Sequence, residues 1–308
     1  MTTELKITPS RVREYISCPL KFARLYGPPE DYEYIGTSTF DPPPESSNNT
    51  HTANRSLGST LHAVLDTLHR PSATEMVGLN QPYPTESQVA ALHTLSDDDI
   101  HQLVSEHWHA EGYADSQSED AAFLSACQIL RYYIRSPHTP KGQVLATEAY
   151  LSSVTTVRGC RLTLSCRADR LELHPDGVLE VLDYKISKSL DIPSPQALSQ
   201  DLGSYIYWLL ALHSYKSDPR VRNVRISQLN LLTLARTEVE YDQHQIIRHK
   251  DALCELVASV VAGGLEPRPN AGCAWCPVRG TCPAWREMDL EEITRYGAQS
   301  SGTADLSD

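Results

Sequence analysis

Two acidic side chains and a lysine stand close together in the second half of the sequence. Asp169 lies in the stretch 166–172, a Pro-Asp-Gly turn follows, and Asp183 and Lys185 come shortly after it. Residues i and i+2 of a β-strand face the same way, so Asp183 and Lys185 are expected to project to one side. If the two strands pair as a hairpin, Asp169 can lie near Asp183.

Two carboxylates and one ammonium group at a sheet edge suit metal-assisted phosphodiester hydrolysis. Carboxylates hold Mg²⁺ or Mn²⁺ through hard oxygen ligands, and the bound cation activates water and neutralises charge on phosphate. Lys185 can steer the water or stabilise the transition state. The alternative is a surface ion pair between Asp183 and Lys185. The apolar neighbours Leu179, Val181 and Leu182 indicate a mostly buried strand. A charged side chain is costly to bury there unless it is paired or binds a metal.

Cysteines near the end of the chain form a second group of potential ligands. Cys273, Cys276 and Cys282 have the spacing C-x2-C-x5-C, and Cys18 is the candidate for a fourth ligand. Zinc and a 4Fe-4S cluster both accept four thiolates, so the spacing leaves both open, although structural zinc usually shows paired C-x2-C motifs. The other four cysteines lie in helix or strand patterns and are predicted to be core residues: Cys127, Cys160, Cys166 and Cys254.

Hydrophobic periodicity predicts the elements that must position these residues. A helix begins after Thr8, a candidate N-cap with Pro9 at the first helical position, and further helices are predicted at 58–69, 97–111, 119–135, 195–216 and 242–261. Strands are predicted at 143–154, 160–173, 178–184 and 224–234. Residues 27–56 and 71–88 are expected to be loops, and the acidic tail to be disordered. This order indicates an α/β or α+β core.

Composition excludes some classes and raises one objection. The chain has 308 residues, 40% of them hydrophobic and 21% charged, with a net charge of −12. The sequence has no apolar run long enough to span a bilayer and no secretory signal at its start, so a cytoplasmic protein without a membrane partner is expected. The acidity argues against a nucleic-acid partner, but it is uneven: −9 over residues 1–140, +1 over 141–285 and −4 over 286–308.

The order of the motifs resembles the RecB-type and CRISPR-associated exonucleases of the PD-(D/E)XK superfamily. The family's helical Gly-x-x-x-His motif corresponds to Gly58–His62, its first-aspartate strand to Ala168-Asp169-Arg170, and its Asp/Glu-x-Lys strand to Asp183-Tyr184-Lys185. A Gln/Tyr helix motif corresponds to Gln200 and Tyr205. Cys166 replaces the usual glycine three residues before the first aspartate, and Asp201, not Gln200, stands four residues before Tyr205.

The resemblance implies roles for several residues. His62, Asp169, Asp183 and the carbonyl of Ile186 would bind the metal, and Glu148 would support the ligands or Lys185. For His62 the alternative is an ordinary helix-face histidine, and for Glu148 a solvent-facing strand carboxylate. Tyr205, with Gln200, would contact DNA or position the site, and its alternative role is that of a core aromatic residue.

The cysteine spacing resembles the iron–sulfur clamp of AddB-type and CRISPR-associated nucleases, which favours a 4Fe-4S cluster over zinc. The resemblance also implies an α/β fold with a restriction-endonuclease-like core, a mixed central sheet flanked by helices, an N-terminal helical region and a C-terminal iron–sulfur clamp. The expected division is a helical region at 1–140, a nuclease core at 141–265, a cysteine cluster at 266–286 that closes with Cys18, and a tail at 287–308.

The function expected from the resemblance is a Mg²⁺- or Mn²⁺-dependent DNA exonuclease that prefers single-stranded ends. A rival is a non-catalytic iron–sulfur scaffold or DNA-end-binding subunit of a helicase–nuclease complex. The complete set of Asp169, Asp183 and Lys185 argues against that rival. Another candidate role is trimming of DNA beside an integrase during CRISPR adaptation. The sequence has no G-x-x-x-x-G-K-[ST] loop, so a helicase partner would be a separate protein.

Overall fold

The computed structural model describes residues 4–26, 45–71, 92–186, 192–263 and 265–287. Within these ranges the α-helices are α1 Pro9–Ser17, α2 Pro19–Tyr26, α3 Glu45–His69, α4 Asp97–Glu106, α5 Ser116–Ile134, α6 Pro195–Gln200, α7 Leu202–Tyr215, α8 Gln243–Ala262 and α9 Pro283–Glu287. The strands are β1 Glu4–Ile7, β2 Gln143–Val157, β3 Cys160–Leu173, β4 Val178–Lys185, β5 Asn223–Asn230 and β6 Arg236–Glu240. Short 3-10 helices lie at Ala271–Trp275 and Arg279–Thr281.

Local sequence signals explain several of these boundaries. Thr8 caps α1, and its side chain accepts a hydrogen bond from the backbone N–H of Arg11 at 3.3 Å. Between β2 and β3 a two-residue turn has positive φ at both Arg158 and Gly159 (49° and 79°), the conformation that matches the twist of a tight hairpin. The three consecutive strands predicted from residue 143 onwards are therefore confirmed, with β2 three residues longer than expected.

Other predicted boundaries were wrong. The helix expected at 195–216 is two helices, because Asp201 leaves the helical conformation and caps α7 through the N–H groups of Gly203 and Ser204. Residues 45–56, expected to be loop, belong to α3. The strand expected to reach 234 ends at Asn230, and β6 was not predicted. The remaining parts of the two predicted loops and the tail from 288 onwards lie outside the described residues.

The sheet is mixed and has the strand order β1-β3-β4-β5-β6, with β2 also pairing with β3. β3 and β4 pair antiparallel from Arg170 opposite Leu182 to Leu173 opposite Leu179. β4 and β5 pair in parallel along their full length, and β5 and β6 pair antiparallel. The parallel pair needs a crossover connection, and α6 and α7 supply it. This mixed sheet, with helices on its flanks, agrees with the predicted α/β class.

The chain forms two compact units, which we describe separately. The larger contains residues 44–153 and 164–249. Its main core joins side chains of α3, α4 and α5 to residues of β4 and β5, among them Leu61, Leu130, Leu182 and Leu229. α7 packs against β4 and β5, and α6 packs against β6. Apolar helix faces therefore cover β4 and β5 and hold the end of β4 in place.

The smaller unit contains β1, α1, α2, residues 154–163 and the described residues from 250 onwards. Within it, α1 and α2 pack against each other, and Phe22 is fully buried with its ring edge-to-face with that of Tyr15. The described part of the chain has no helix with both the length and the apolar character needed to cross a membrane. The predicted four-part division of the chain stays a prediction.

Candidate metal centre

From α3, His62 reaches Asp169 of β3, next to the point where the ladder between β3 and β4 ends. Its neighbours Leu61 and Leu65 are buried in the core, while the His62 side chain keeps 30% of its surface exposed. One turn further along α3, the Asp66 carboxylate accepts a hydrogen bond from Thr147 of β2 and pairs with Arg70. This contact ties α3 to β2 beside His62, so the direction of the imidazole is set by the packing of both elements.

The His62 imidazole faces two carboxylates. Its Nδ1 lies 3.5 Å from Oδ1 of Asp169 and 3.6 Å from Oε1 of Glu148. One ligand atom from each of the three residues lies within 4.8 Å of the others, a separation suited to binding a single metal ion. Burial alone would lower the pKa of His62, but hydrogen bonding and charge from Asp169 and Glu148 outweigh it and raise the pKa to about 10. A proton on His62 therefore balances the carboxylates when no cation is bound.

Asp169 stands where the ladder between β3 and β4 ends. The last paired residues are Arg170 and Leu182, so Asp169 and Asp183 are the next positions on the two strands. The backbone N–H of Tyr184 donates a 2.6 Å hydrogen bond to Oδ2 of Asp169, which leaves Oδ1 directed towards His62. Burial and the charge of Asp183 raise the pKa of Asp169 above its ordinary value, against the opposing effects of His62 and the Tyr184 N–H.

Asp183 and Lys185 form a close pair at the end of β4. Oδ2 of Asp183 lies 2.6 Å from Nζ of Lys185 and accepts a hydrogen bond from the Gln228 amide at 3.3 Å. Asp183 is 7% exposed, whereas the Lys185 side chain is 43% exposed. A buried carboxylate is thus joined to an accessible ammonium group beside the three-residue group.

Glu148 has an unusual backbone. Its φ is 46°, in the left-handed region that non-glycine residues seldom adopt, although it lies inside β2. A residue in this conformation interrupts the regular pleat and redirects its side chain. The sequence assigns Glu148 only a supporting role, but the structure places it in the same ligand group as His62 and Asp169. Nothing in the local sequence signals this conformation.

Other residues predicted for the site lie in different surroundings. The ring of Tyr205 is fully buried, stacked on Trp208 and on His249 at centroid distances of 5.5 and 4.8 Å. This burial favours the core role for Tyr205 over a DNA contact. Gln200 is exposed at the end of α6, and Asp201 caps α7.

Ile186 and Cys166 border the site. Ile186 follows β4 and packs against the core, and its side chain lies 3.8 Å from where a Cβ on Gly58 would be. Cys166 occupies the family's glycine position on the buried face of β3. Burial and the charge of Asp183 raise the pKa of Cys166 to about 12, so its thiol stays neutral and does not resemble a metal-binding thiolate.

The four clustered cysteines line one cavity of the smaller unit. Cys18, Cys273, Cys276 and Cys282 all border this cavity. Backbone N–H groups of Lys21 and Arg268 point at Sγ of Cys18 at 3.5 and 3.4 Å, and that of Asn270 points at Sγ of Cys273 at 3.3 Å. Burial, with added charge from Cys273 and Cys18, raises the pKa of the Cys276 thiol. The structure thus brings together four thiols from distant parts of the chain.

A mixed sheet flanked by helices, with carboxylates and a lysine gathered where the pairing of two strands ends, is consistent with the restriction-endonuclease-like class of fold. The family model described as the PD-(D/E)XK nuclease superfamily matches residues 6–283, nearly the whole chain. The protein belongs to this superfamily, whose members use divalent metals and whose substrate is DNA.

Comparison with individual proteins adds little detail. No curated protein matches the chain. Among solved structures, it is similar to the protein SSO0001 at 18% identity and a TM-score of 0.32, with 64% of this chain and 84% of that chain covered. It is also similar to a candidate exonuclease from Eubacterium rectale at 12% identity and a TM-score of 0.34, with 83% of this chain and 94% of that chain covered. Scores this low carry no further conclusion about this chain.

Proposed function

We propose that this protein is a Mg²⁺- or Mn²⁺-dependent DNA exonuclease that prefers single-stranded ends and belongs to the RecB-type and CRISPR-associated branch of its superfamily. The observation that carries the proposal is the convergence of His62, Glu148 and Asp169 beside the Asp183–Lys185 pair. Three potential ligands and a lysine meet where the ladder between β3 and β4 ends, and this combination suits metal-assisted phosphodiester hydrolysis.

The donor set fits a divalent cation. His62, Glu148 and Asp169 would hold it, with Asp183 and the Ile186 carbonyl as additional ligands. Carboxylate oxygens suit Mg²⁺ and Mn²⁺, and the imidazole nitrogen favours Mn²⁺ of the two. When bound, such a cation supplies activated water and neutralises charge on the phosphate. The Tyr184 N–H holds the Asp169 carboxylate in a fixed orientation, which prepares the ligand group for binding.

Lys185 is the residue that we assign to the reacting phosphate. Its ammonium group is held by Asp183 at 2.6 Å and is accessible to solvent. In this position it would orient the attacking water or stabilise the charge that develops on the phosphate oxygens. Asp183 therefore has two roles in the proposal, as a ligand and as the group that directs Lys185.

We also propose that Cys18, Cys273, Cys276 and Cys282 bind a 4Fe-4S cluster. The four thiols border one cavity of the smaller unit, and the C-x2-C-x5-C spacing differs from the paired C-x2-C motifs that are usual for structural zinc. A cluster at this place would join α1 and α2 to the end of the chain within the smaller unit.

The decisive assay uses purified protein with end-labelled single- and double-stranded DNA in Mg²⁺, Mn²⁺ or EDTA. We expect cleavage from ends, faster on single strands, which EDTA stops. Asp169→Asn and Lys185→Gln should each abolish cleavage with an unchanged circular dichroism spectrum. Asp218→Asn, which alters an ion-paired aspartate outside the ligand group, is the matched control and should stay active. Full activity of both site variants would refute the proposal, and DNA binding without any cleavage would favour the scaffold role.

The cluster is tested separately from cleavage. We expect a brown protein with visible absorption and about four iron and four sulfide per chain. Cys282→Ser should lose the colour, whereas Cys254→Ser, outside the cavity, should keep it. A colourless, zinc-containing protein would overturn the assignment.

A cytoplasmic location, a helicase or integrase partner, and a role in repair, recombination or CRISPR adaptation belong to the same proposal. The neighbouring genes would test the partner and the role.

A further inference from the structure

Two long side chains extend into solvent beside the candidate metal centre. Arg167 on β3 is 68% exposed, and Tyr150 on β2 is 67% exposed. We propose that these two residues bind one nucleotide of a single-stranded DNA end, with Arg167 on a phosphate and Tyr150 stacked on the base. The inference rests on the proposed function for its choice of DNA as the ligand, and it deepens that function by assigning a strand-binding surface.

Arg167 is directly connected to the metal ligands. One oxygen of the Glu148 carboxylate faces His62, and the other lies 3.5 Å from Nη1 of Arg167. The guanidinium is therefore one carboxylate group away from the place where a cation would be held.

The guanidinium of Arg167 has N–H groups available to bind a ligand. Among the residues that the structure describes, Arg167 forms this one ion pair and no hydrogen bond. Asp169 lies two positions further along β3, so its side chain and that of Arg167 are on the same face of the strand. An arginine with several N–H groups pointing to solvent is suited to bidentate contact with phosphate, which a lysine cannot make.

Tyr150 lies on the open face of β2. Leu151 next to it is buried, whereas Tyr150 and Ser152 are exposed, as expected from strand alternation. The two-residue turn at Arg158 and Gly159 sets the register of the hairpin, and counting seven residues back along both strands places Tyr150 opposite Arg167. The aromatic ring and the guanidinium are therefore neighbours on one surface.

This pair of side chains selects for an unpaired strand. Stacking on a tyrosine face needs a base that is free of its duplex neighbours, and it works for any base because each has an aromatic face. A phosphate contact alone would not distinguish single from double strands. Tyr150 therefore provides the preference for single strands, and Arg167 provides affinity and position next to the ligands.

The test measures binding of the full-length protein to fluorescent single-stranded and duplex oligonucleotides in EDTA over a range of salt concentrations. Tyr150→Ala should weaken single-strand binding by roughly 10-fold or more and duplex binding little, and Tyr150→Trp should restore it. Arg167→Gln should weaken binding to both and reduce the slope of log K against log salt by about 0.7 for single strands. With Mn²⁺ present, Tyr150→Ala should raise KM more than it lowers kcat.

Matched controls are an exposed tyrosine on α5 and the exposed arginine that follows the last residue of that helix. Tyr132→Ala and Arg135→Gln should leave affinity, strand preference and salt slope unchanged. Unchanged single-strand binding in Tyr150→Ala and Arg167→Gln, in a protein that cleaves DNA, would overturn the inference while the proposed function stands. Loss of binding in these two variants of a protein that cleaves nothing would support the inference and refute the catalytic proposal.

Discussion

Among the residues that the structure describes, the larger unit contains two groups of one histidine and two carboxylates, and the two groups differ in character. The first is the candidate metal centre of His62, Glu148 and Asp169, and the second consists of Glu172, His174 and Glu180. In both groups one ligand atom from each residue lies within 4.8 Å of the others. Residue type and spacing alone would give them the same function, so the difference must come from what surrounds them.

Glu172 of the second group is already neutralised. One of its oxygens lies 2.9 Å from the guanidinium of Arg170, which is as fully buried as Glu172 itself. The other accepts hydrogen bonds from the backbone N–H groups of Lys141 and Gly142 at 2.7 and 2.5 Å. One oxygen is therefore ion-paired with a buried arginine and the other accepts two hydrogen bonds, so a cation would have to displace fixed partners.

Glu180 is satisfied in the same way. One of its oxygens pairs with Arg236 and accepts from Ser227, and the other lies 3.0 Å from Nε2 of His174. Full burial would raise the pKa of Glu180, but these partners outweigh that effect and lower the pKa to about 2. The second group is thus an internal ion network that supports the sheet.

The first group has the same residue types but far fewer permanent partners. Asp169 lies 3.5 Å from Nδ1 of the protonated His62, and Glu148 lies 3.6 Å from the same atom and 3.5 Å from the guanidinium of the exposed Arg167. Both of these positive charges can leave when a metal ion arrives. A group of potential ligands therefore becomes a binding site when its neutralising partners are exchangeable, and a structural element when they are fixed.

The largest expected effect comes from removing the arginine of each group. Arg170→Met should lower the free energy of unfolding by about 3–5 kcal/mol, because it leaves a buried Glu172 carboxylate without its cation. Arg167→Met should change it by about 0–1 kcal/mol, because that pair is exposed. Urea unfolding at neutral pH measures both. The double variant Arg170→Met with Glu172→Leu should recover part of the loss, and equal losses in the two single variants would contradict the distinction.

A smaller effect is expected from metal binding. Mn²⁺ at about 100 times its Kd should raise the free energy of unfolding by about 2.7 kcal/mol, since the cation binds the folded protein only. His62→Gln should remove this stabilisation, whereas His174→Gln should keep it. The shift of thermal unfolding with Mn²⁺ concentration is the measurement. A shift that depends on His174 instead would assign the binding site to the other group.

The sequence could predict much of the first group because strand periodicity is local. Asp183 and Lys185 share a strand face by spacing, and a short turn between two strands is enough to bring Asp169 near Asp183. The position of Glu148 depends on an irregular φ, which no local pattern signals. The resemblance to a family was therefore the only guide to Glu148 and to His62, which lies more than a hundred residues before Asp169.

The second group could not be predicted from the sequence, because its residues come together only when β3 and β4 pair. Glu172 lies opposite Glu180 in the ladder between β3 and β4, and the cations that neutralise them come from other positions. Likewise, the burial of Tyr205 depends on Tyr241 and His249, which come from distant parts of the sequence. The helix break at Asp201 could have been predicted, since aspartate is a strong N-cap. The apolar pattern continues across it, however, and favours a single helix.

The pH dependence of the two groups should have opposite signs. The pKa of His62 is raised from 6.5 to about 10, so its stabilising effect on the metal-free protein is complete below pH 6.5 and is lost as the pH rises through 10. Glu180 has its pKa lowered from 4.5 to about 2, so its contribution is complete above pH 4.5 and is lost as the pH falls through 2.

The raised pKa of His62 also predicts that metal binding releases a proton. Between about pH 6.5 and pH 9, the affinity for Mn²⁺ should therefore rise by roughly tenfold, about 1.4 kcal/mol, per pH unit. Calorimetry in buffers of different ionisation enthalpy would count the protons released, with about one expected for the native protein. His62→Gln, which has no titrating imidazole there, should show none, and a pH-independent affinity in the native protein would contradict a protonated His62.

The smallest effect concerns the backbone of the first group. Because Glu148 has a φ of 46°, Glu148→Gly should be more stable than Glu148→Ala by about 1 kcal/mol, although both lose the carboxylate. Tyr150 lies two residues further along the same strand without a positive φ, so there the order should reverse, with Tyr150→Gly less stable than Tyr150→Ala by about 0.5–1 kcal/mol. Unfolding of the four variants in EDTA measures the backbone effect without metal. The same order at both positions would show that the candidate metal centre, like the ion network beside it, is built on unstrained strands.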